Sequence, residues 1–185
     1  MTNLNLENFE ENLQKRINSQ IDTYFSSNSQ IQEAMEFALT APGKRVRPLL
    51  IYLVGDIYNI PLERLDSLAL ASEIIHTYSL VHDDLPCMDD DDLRRGQPTL
   101  HKKYSESTAV LAGDAMQSLA VQIILEDEKL SNELKVSIIS LLMKNIGYKG
   151  MILGQEQDIS FEKKSVSKEE IIQMNYLKTG LLIEF

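Results

Sequence analysis

A single cysteine, Cys87, stands in 185 residues, which excludes an internal disulfide framework and fits a reducing compartment. The first residues show no basic, apolar and small-residue succession of the kind that marks a signal peptide, and no apolar run is expected to reach membrane-spanning length. A cytoplasmic chain without membrane insertion is the expectation. Positive charge is also short: 18 Lys and Arg face 28 Asp and Glu, a net charge of −10. That balance disfavours nonspecific binding to nucleic acid or anionic lipid, so an anionic ligand has to be held by local cations or by metal. Convincing alternating strands, internal repeats and low-complexity segments are missing too, as is any linker long enough to separate two domains.

What is there is apolar residues at helical spacing, in a chain that is 43% hydrophobic and long enough for one ordinary core or for part of a larger one. Leu6, Phe9, Leu13, Ile17, Ile21 and Tyr24 repeat in steps of three and four, as do Leu134, Ile138, Leu141 and Leu142. Breaks are expected at Ser26 to Ser29, Ala41-Pro42-Gly43, Asn59-Ile60-Pro61, Leu85-Pro86, Gly96-Gln97-Pro98 and Glu162 to Ser167. Seven or eight helices then fit between them, an all-α arrangement. Between Ser105 and Glu126, Gly113 and several alanines suit close helix packing.

The chemistry concentrates in Asp83-Asp84-Leu85-Pro86-Cys87-Met88-Asp89-Asp90-Asp91-Asp92-Leu93-Arg94-Arg95-Gly96, where six carboxylates adjoin two arginines. Mg²⁺ takes one or two protein carboxylates and fills its other positions with water and phosphate oxygens, while arginine clamps phosphate directly. Asp90 to Asp92 taken alone fit a solvated acidic loop equally well. Asp83 and Asp84 differ, because they end the apolar stretch Leu65 to Val81, where uncompensated carboxylates would cost stability. On a helix from about Glu63 to Asp84, His76, Leu80 and Asp83 share one face, with His76 about 10 Å below Asp83. Pro86 biases Leu85 out of helical dihedrals, so a short loop can turn Asp89 back toward Asp83. A second anion site is suggested by Gly43-Lys44-Arg45-Val46-Arg47-Pro48, whose cations precede a helix that can begin at Pro48. An exposed basic loop is the plain alternative there.

The run from His82 through the aspartates to Arg94-Arg95-Gly96-Gln97-Pro98-Thr99 resembles the first aspartate-rich motif of the trans-prenyltransferases, the polyprenyl synthases. Gly43 to Pro48 is similar to the family's isopentenyl diphosphate motif, and Gly154-Gln155-Glu156-Gln157-Asp158 and Lys178-Thr179-Gly180 match later motifs in order. Within the family the resemblance is greatest to bacterial farnesyl diphosphate synthases. It implies an all-α, isoprenoid synthase-type helical bundle, with residues 1–185 as the N-terminal two-thirds of one polyprenyl synthase domain. It also implies Mg²⁺ at Asp83, Asp84 and Asp89, bridging an allylic diphosphate that Arg94 contacts. Lys44, Arg47, His76 and Arg95 would bind isopentenyl diphosphate. Lys178 and Thr179 would contact the allylic diphosphate and steady the carbocation, Gln155 and Asp158 would line the same cavity, and Tyr78 would be the floor that stops the product at fifteen carbons. The full-length form is expected to be a homodimer.

Past Asp92 the only aspartates are Asp114, Asp127 and Asp158, none paired, whereas the family carries a second aspartate-rich motif farther on. A weakly active or inactive fragment is therefore expected. Other readings of the residues stay open: a metal phosphohydrolase, for which His101 would be the only further histidine beside His76 and His82; a non-catalytic helical subunit that binds diphosphates; and a synthase of shorter or longer chains.

Overall fold

Helix α1, Leu6–Tyr24, buries Leu13, Ile17 and Ile21, one residue per turn on a single face. A computed structural model describes residues 6–25, 29–162 and 164–185, with side chains from residue 11 onward. The side chains of Leu6 and Phe9, and all but the last residue of the break expected at Ser26 to Ser29, lie outside the described residues, as does one residue of the break at Glu162 to Ser167. Helices α2 (Gln30–Thr40), α3 (Val46–Ile57) and α4 (Asp66–Asp83) follow, then strands β1 (Leu93–Arg94) and β2 (Gln97–Pro98), the short helix α5 (Leu100–Lys103) and the long helix α6 (Glu106–Glu126). These belong to one compact unit, Met1–Asp127. A second unit, Glu128–Phe185, holds α7 (Asn132–Ile146), α8 (Met151–Phe161), α9 (Lys168–Asn175), a π-helical turn at Tyr176–Gly180 and α10 (Leu181–Ile183). Among the described residues, eight of these helices have eight or more residues, as the periodicity predicts.

Helix α4 is the axis of the first unit. Ala69, Leu70, Ala71, Ile74, Ile75, Tyr78 and Val81 are all buried on it, and it packs most extensively on α6, whose Ala109, Ala112, Met116, Ala120, Ile123 and Ile124 are buried in turn. A fully buried Leu or Ile contributes about 1.5–3 kcal/mol, so this seam dominates the unit's stability. Small residues make the seam close: a Cβ on Gly113 would lie 2.1 Å from His82 Nε2. The expectation of tight packing around Gly113 is met. At the opposite end of α4, Asp66 accepts both Arg16 Nε and Nη2 at 2.6 Å and the Tyr52 hydroxyl at 2.6 Å, tying α1 and α3 to the start of α4.

Some boundaries differ from the sequence reading. The helix expected from about Glu63 is a 3₁₀ turn, Leu62–Arg64, followed by α4 from Asp66, and α3 begins at Val46 rather than Pro48. Pro48 still lies within the first turn, where a helix needs no N–H donor. A minimal antiparallel hairpin was not foreseen. Leu93 pairs with Pro98 and Arg94 with Gln97 across Arg95 and Gly96, whose φ values of 53° and 79° are those of a tight hairpin turn.

Two stretches, Glu106–Glu126 and Asn132–Phe161, are long and apolar enough by length and composition to cross a membrane, which corrects the expectation that none would be. Polar residues and a few charges, Asp114 in the first and Lys144 and Lys149 in the second, interrupt the runs, so reading for unbroken apolar segments undercounts them. In α6 one side of these apolar residues is buried, Ala109, Ala112, Met116, Ala120, Ile123 and Ile124, while Val110, Leu111 and Leu125 are exposed.

In the second unit, Asn145 on α7 donates to the Leu181 carbonyl at 2.8 Å, and α9 opens on a capping box in which Ser167 and Glu170 satisfy each other's backbone N–H groups.

Candidate functional site

The aspartate-rich segment begins where α4 stops. Asp84 caps the helix through its N–H to the Leu80 carbonyl at 3.0 Å, and beyond Pro86 the chain folds back so that the Asp89 N–H donates to the Asp83 carbonyl at 2.8 Å. Asp89 therefore returns beside the end of α4, as the proline suggests. Asp83 is buried, at 7% exposure, whereas Asp89 and Asp90 are exposed. Asp84, 3% exposed, accepts Arg94 Nε at 2.8 Å and also Arg94 Nη2, which in turn donates to Asp91 at 2.8 Å. Two residues assigned to different ligands by resemblance thus face each other here. Burial pushes the Asp84 carboxyl above its usual range; Arg94 pulls it down, and the negative charges of Asp91 and Asp89 add to the rise.

No group of three or more His, Cys, Asp or Glu side chains close enough to hold a metal ion occurs among the described residues. Mg²⁺ does not require one, since it binds by one or two carboxylates and completes its shell with water and phosphate oxygens. The donor set is all oxygen, and its carboxylates repel one another around Asp84. A hard divalent cation fits both facts.

A cleft of about 390 Å³ opens about 10 Å down α4 from the aspartates, lined by Lys44, Arg45, Arg47, Arg95, His76 and Glu73. Lys44 is exposed on the loop between α2 and α3, and Arg47 lies half-buried in the first turn of α3. The Arg47 Nε is buried without a hydrogen-bond partner. Burial lowers the Arg47 guanidinium from its ordinary value, Glu73 counters this, and Arg95 adds repulsion. Burial, with the charges of Arg47, Arg95, Arg45 and Arg94, holds His76 down at about 3, so its ring is neutral at physiological pH. Arg95 reaches the cleft from the hairpin turn and lies over Gly43, where a Cβ would come within 2.2 Å of Arg95 Nη1. A side chain at this position would push the Arg95 guanidinium aside, so the glycine leaves room for it, despite the Ala41-Pro42 step before it.

Tyr78 is 5% exposed and packs edge-on to His82, with ring centroids 5.6 Å apart. Burial, aided by Asp83 and Asp114, pushes its hydroxyl up to about 12.

In the second unit, Lys178 lies in the π-helical turn, a deformation often found at functional positions. Its Nζ is 2.5 Å from Asp158 Oδ2 on α8. A Cβ on Gly154 would meet the Lys178 nitrogen at 2.3 Å, so this glycine lets α8 lie against the turn. Gln155 is half-buried one residue along α8, and Thr179 is exposed.

Two features escaped the sequence reading. One is the Asp84–Arg94–Asp91 cluster. The other is Glu73, 1% exposed, whose carboxylate accepts Arg45 Nη1 at 2.6 Å. A signal for it existed: Glu73 precedes His76 by three residues and so shares its helix face.

A family model described as Polyprenyl synthetase matches residues 28–185. The farnesyl diphosphate synthase of Haemophilus influenzae is 45% identical over 177 residues, covering 94% of this chain and 60% of its own length. That of Buchnera aphidicola from Acyrthosiphon pisum is 44% identical over 157 residues, covering 84% of this chain and 56% of its own. The crystal structure of a geranyltransferase from Legionella pneumophila superposes with a TM-score of 0.91 at 39% identity, covering 95% of this chain and 64% of that one. The chain thus spans between 56% and 64% of the length of these proteins.

Proposed function

The chain belongs to the polyprenyl synthetase family, and from that premise we propose that the protein is a Mg²⁺-dependent prenyltransferase of the farnesyl diphosphate synthase type. It condenses isopentenyl diphosphate with an allylic diphosphate, dimethylallyl or geranyl, to give farnesyl diphosphate. The observation that carries this is the placement of a carboxylate cluster and a basic cleft about 10 Å apart along α4, two anion-handling sites on one rigid element.

Asp83, Asp84 and Asp89 would hold Mg²⁺, which when bound supplies positive charge against the diphosphate that leaves the allylic substrate. In the cleft, Lys44, Arg47 and Arg95 bind the diphosphate of isopentenyl diphosphate, and the orphaned Arg47 Nε gains an acceptor. His76, being neutral, donates or accepts a hydrogen bond there without adding charge. Arg94, whose guanidinium is only half-buried, contacts the allylic diphosphate from its place beside Asp84. Heterolysis of the allylic C–O bond leaves an allylic cation; the double bond of isopentenyl diphosphate attacks it, and loss of one proton restores neutrality at carbon. For the second unit the family resemblance supplies the roles: Lys178 and Thr179 would contact the allylic diphosphate and stabilise the cation, with Gln155 and Asp158 on one face of α8 as further substrate-binding residues. Tyr78, with its apolar neighbours on α4, excludes water and sets the product limit.

A cytoplasmic enzyme is proposed, in keeping with the exposed free thiol of Cys87, with a homodimer as its assembly. Exposed Leu111 and Leu125 on α6 support a partner surface. Calorimetric titration with a bisphosphonate tests the site: binding should be tighter with Mg²⁺ than with chelator, and Asp83→Ala should remove the difference. Equal affinity with and without metal would defeat the proposal. Labelled isopentenyl diphosphate supplied with geranyl diphosphate tests the reaction in a form of the protein that turns over, with fifteen-carbon product expected.

A further inference from the structure

Arg45 stands in the basic motif but points away from solvent and is 6% exposed. It is the N-cap of α3 in left-handed conformation, φ 49°, with no side-chain capping bond, while its carbonyl accepts the Leu49 N–H at 3.0 Å. A non-glycine residue in that region costs about 1–3 kcal/mol and persists only where its surroundings over-determine it. The surroundings here are three acceptors for one guanidinium. Nη1 donates to Glu73 on α4 at 2.6 Å, and Nη2 donates to the carbonyls of Leu39 and, at 3.0 Å, of Ala41 at the end of α2. One planar fork therefore joins the end of α2, the start of α3 and the middle of α4. The loop it closes, Pro42-Gly43-Lys44, forms one edge of the basic cleft, and Arg47 emerges two residues beyond.

Among the described residues Glu73 is also the only carboxylate lining that cleft, against Lys44, Arg45, Arg47 and Arg95. We infer that Glu73 is a positioning residue: through Arg45 it fixes the directions of Lys44 and Arg47 toward the isopentenyl diphosphate, touching no substrate itself. The inference rests on the reading of the cleft as that substrate's site.

The sign of one substitution separates positioning from plain charge. Glu73→Gln removes a negative charge that faces the cleft, so electrostatics alone tighten an anion there. Positioning predicts the reverse, because the charge-assisted bond that holds Arg45 is weakened and the loop loosens. Isopentenyl diphosphate binding is titrated calorimetrically on the whole chain, well below its melting temperature. Glu73→Gln should weaken it about tenfold, a factor worth about 1.4 kcal/mol. Mg²⁺-dependent bisphosphonate binding at the aspartates should change less than twofold, since general loosening of the fold would lower both. Arg45→Lys keeps the pair's charges but lacks the fork that reaches three acceptors, and it too should lose about tenfold, where charge alone predicts no change. Should Glu73→Gln not fold, the lysine variant decides. Unchanged or tighter binding in a folded variant, or equal losses at the cleft and at the aspartates, overturns the inference alone. No binding by the unmodified chain overturns the reading of the cleft, and the inference with it.

Discussion

Replacing Gly154 by alanine places a methyl group 2.3 Å from the Lys178 nitrogen, 2.7 Å from its Cα and 2.9 Å from the Leu177 carbonyl carbon. All three are backbone atoms, so no side-chain rotation relieves the clash. Carbon atoms rest at about 3.5–4.0 Å, and the π-helical turn and α8 would have to separate by roughly 1 Å. Overpacking of this kind costs about 1–3 kcal/mol, and the better helix propensity of alanine returns up to about 1 kcal/mol. A net loss of about 1–2 kcal/mol lowers the melting temperature of a chain this size by about 2–8 °C. The same displacement draws Lys178 off Asp158, now 2.5 Å away. Thermal unfolding followed by circular dichroism, with the unmodified chain alongside, measures the shift. A melting temperature equal to or above that of the unmodified chain would refute the reasoning, because it would show that α8 and the turn are not in backbone contact.

Other consequences are as direct. Asp83→Asn and Asp89→Asn should each reduce Mg²⁺-dependent bisphosphonate affinity at least tenfold while leaving metal-free binding as it is, and loss in both conditions would point to misfolding instead. Tyr78→Ala removes a side chain that is 5% exposed, which should cost about 3–5 kcal/mol and, in a form of the protein that turns over, shift product beyond fifteen carbons; an unchanged product distribution in a folded variant would assign the limit to another residue. His76 has a folded pKa of about 3 against 6.5 when unfolded, so the unfolded chain binds more protons between those values. Its contribution to stability is complete above pH of about 6.5 and is lost as pH falls toward 3, by up to about 1.4 kcal/mol per pH unit. His76→Gln should flatten that part of the profile in urea unfolding at stepped pH, and a slope unchanged by the substitution would show that His76 does not titrate as described.

Much of the fold is local information. The burial of Leu13, Ile17 and Ile21, the end of α4 before Pro86 and the break at Gly43 follow from residues within a turn or two of one another, and helical periodicity records them directly. The motif residues were legible for the same reason: carboxylates, cations and one histidine at set spacings state their chemistry before any folding. Pairing was not. Asp84 and Arg94 are ten residues apart, Arg45 and Glu73 twenty-eight, Asp158 and Lys178 twenty, and nothing in those intervals distinguishes them from Lys44 or Arg95, which point elsewhere. The long helices, their order and the kinds of group brought to the site are thus written in local sequence. That Arg45 turns inward while Lys44 and Arg47 edge the cleft was settled by packing, because the direction of a guanidinium is set by which backbones come within reach of it, and a glycine such as Gly154 admits a close backbone approach only once the helices have packed.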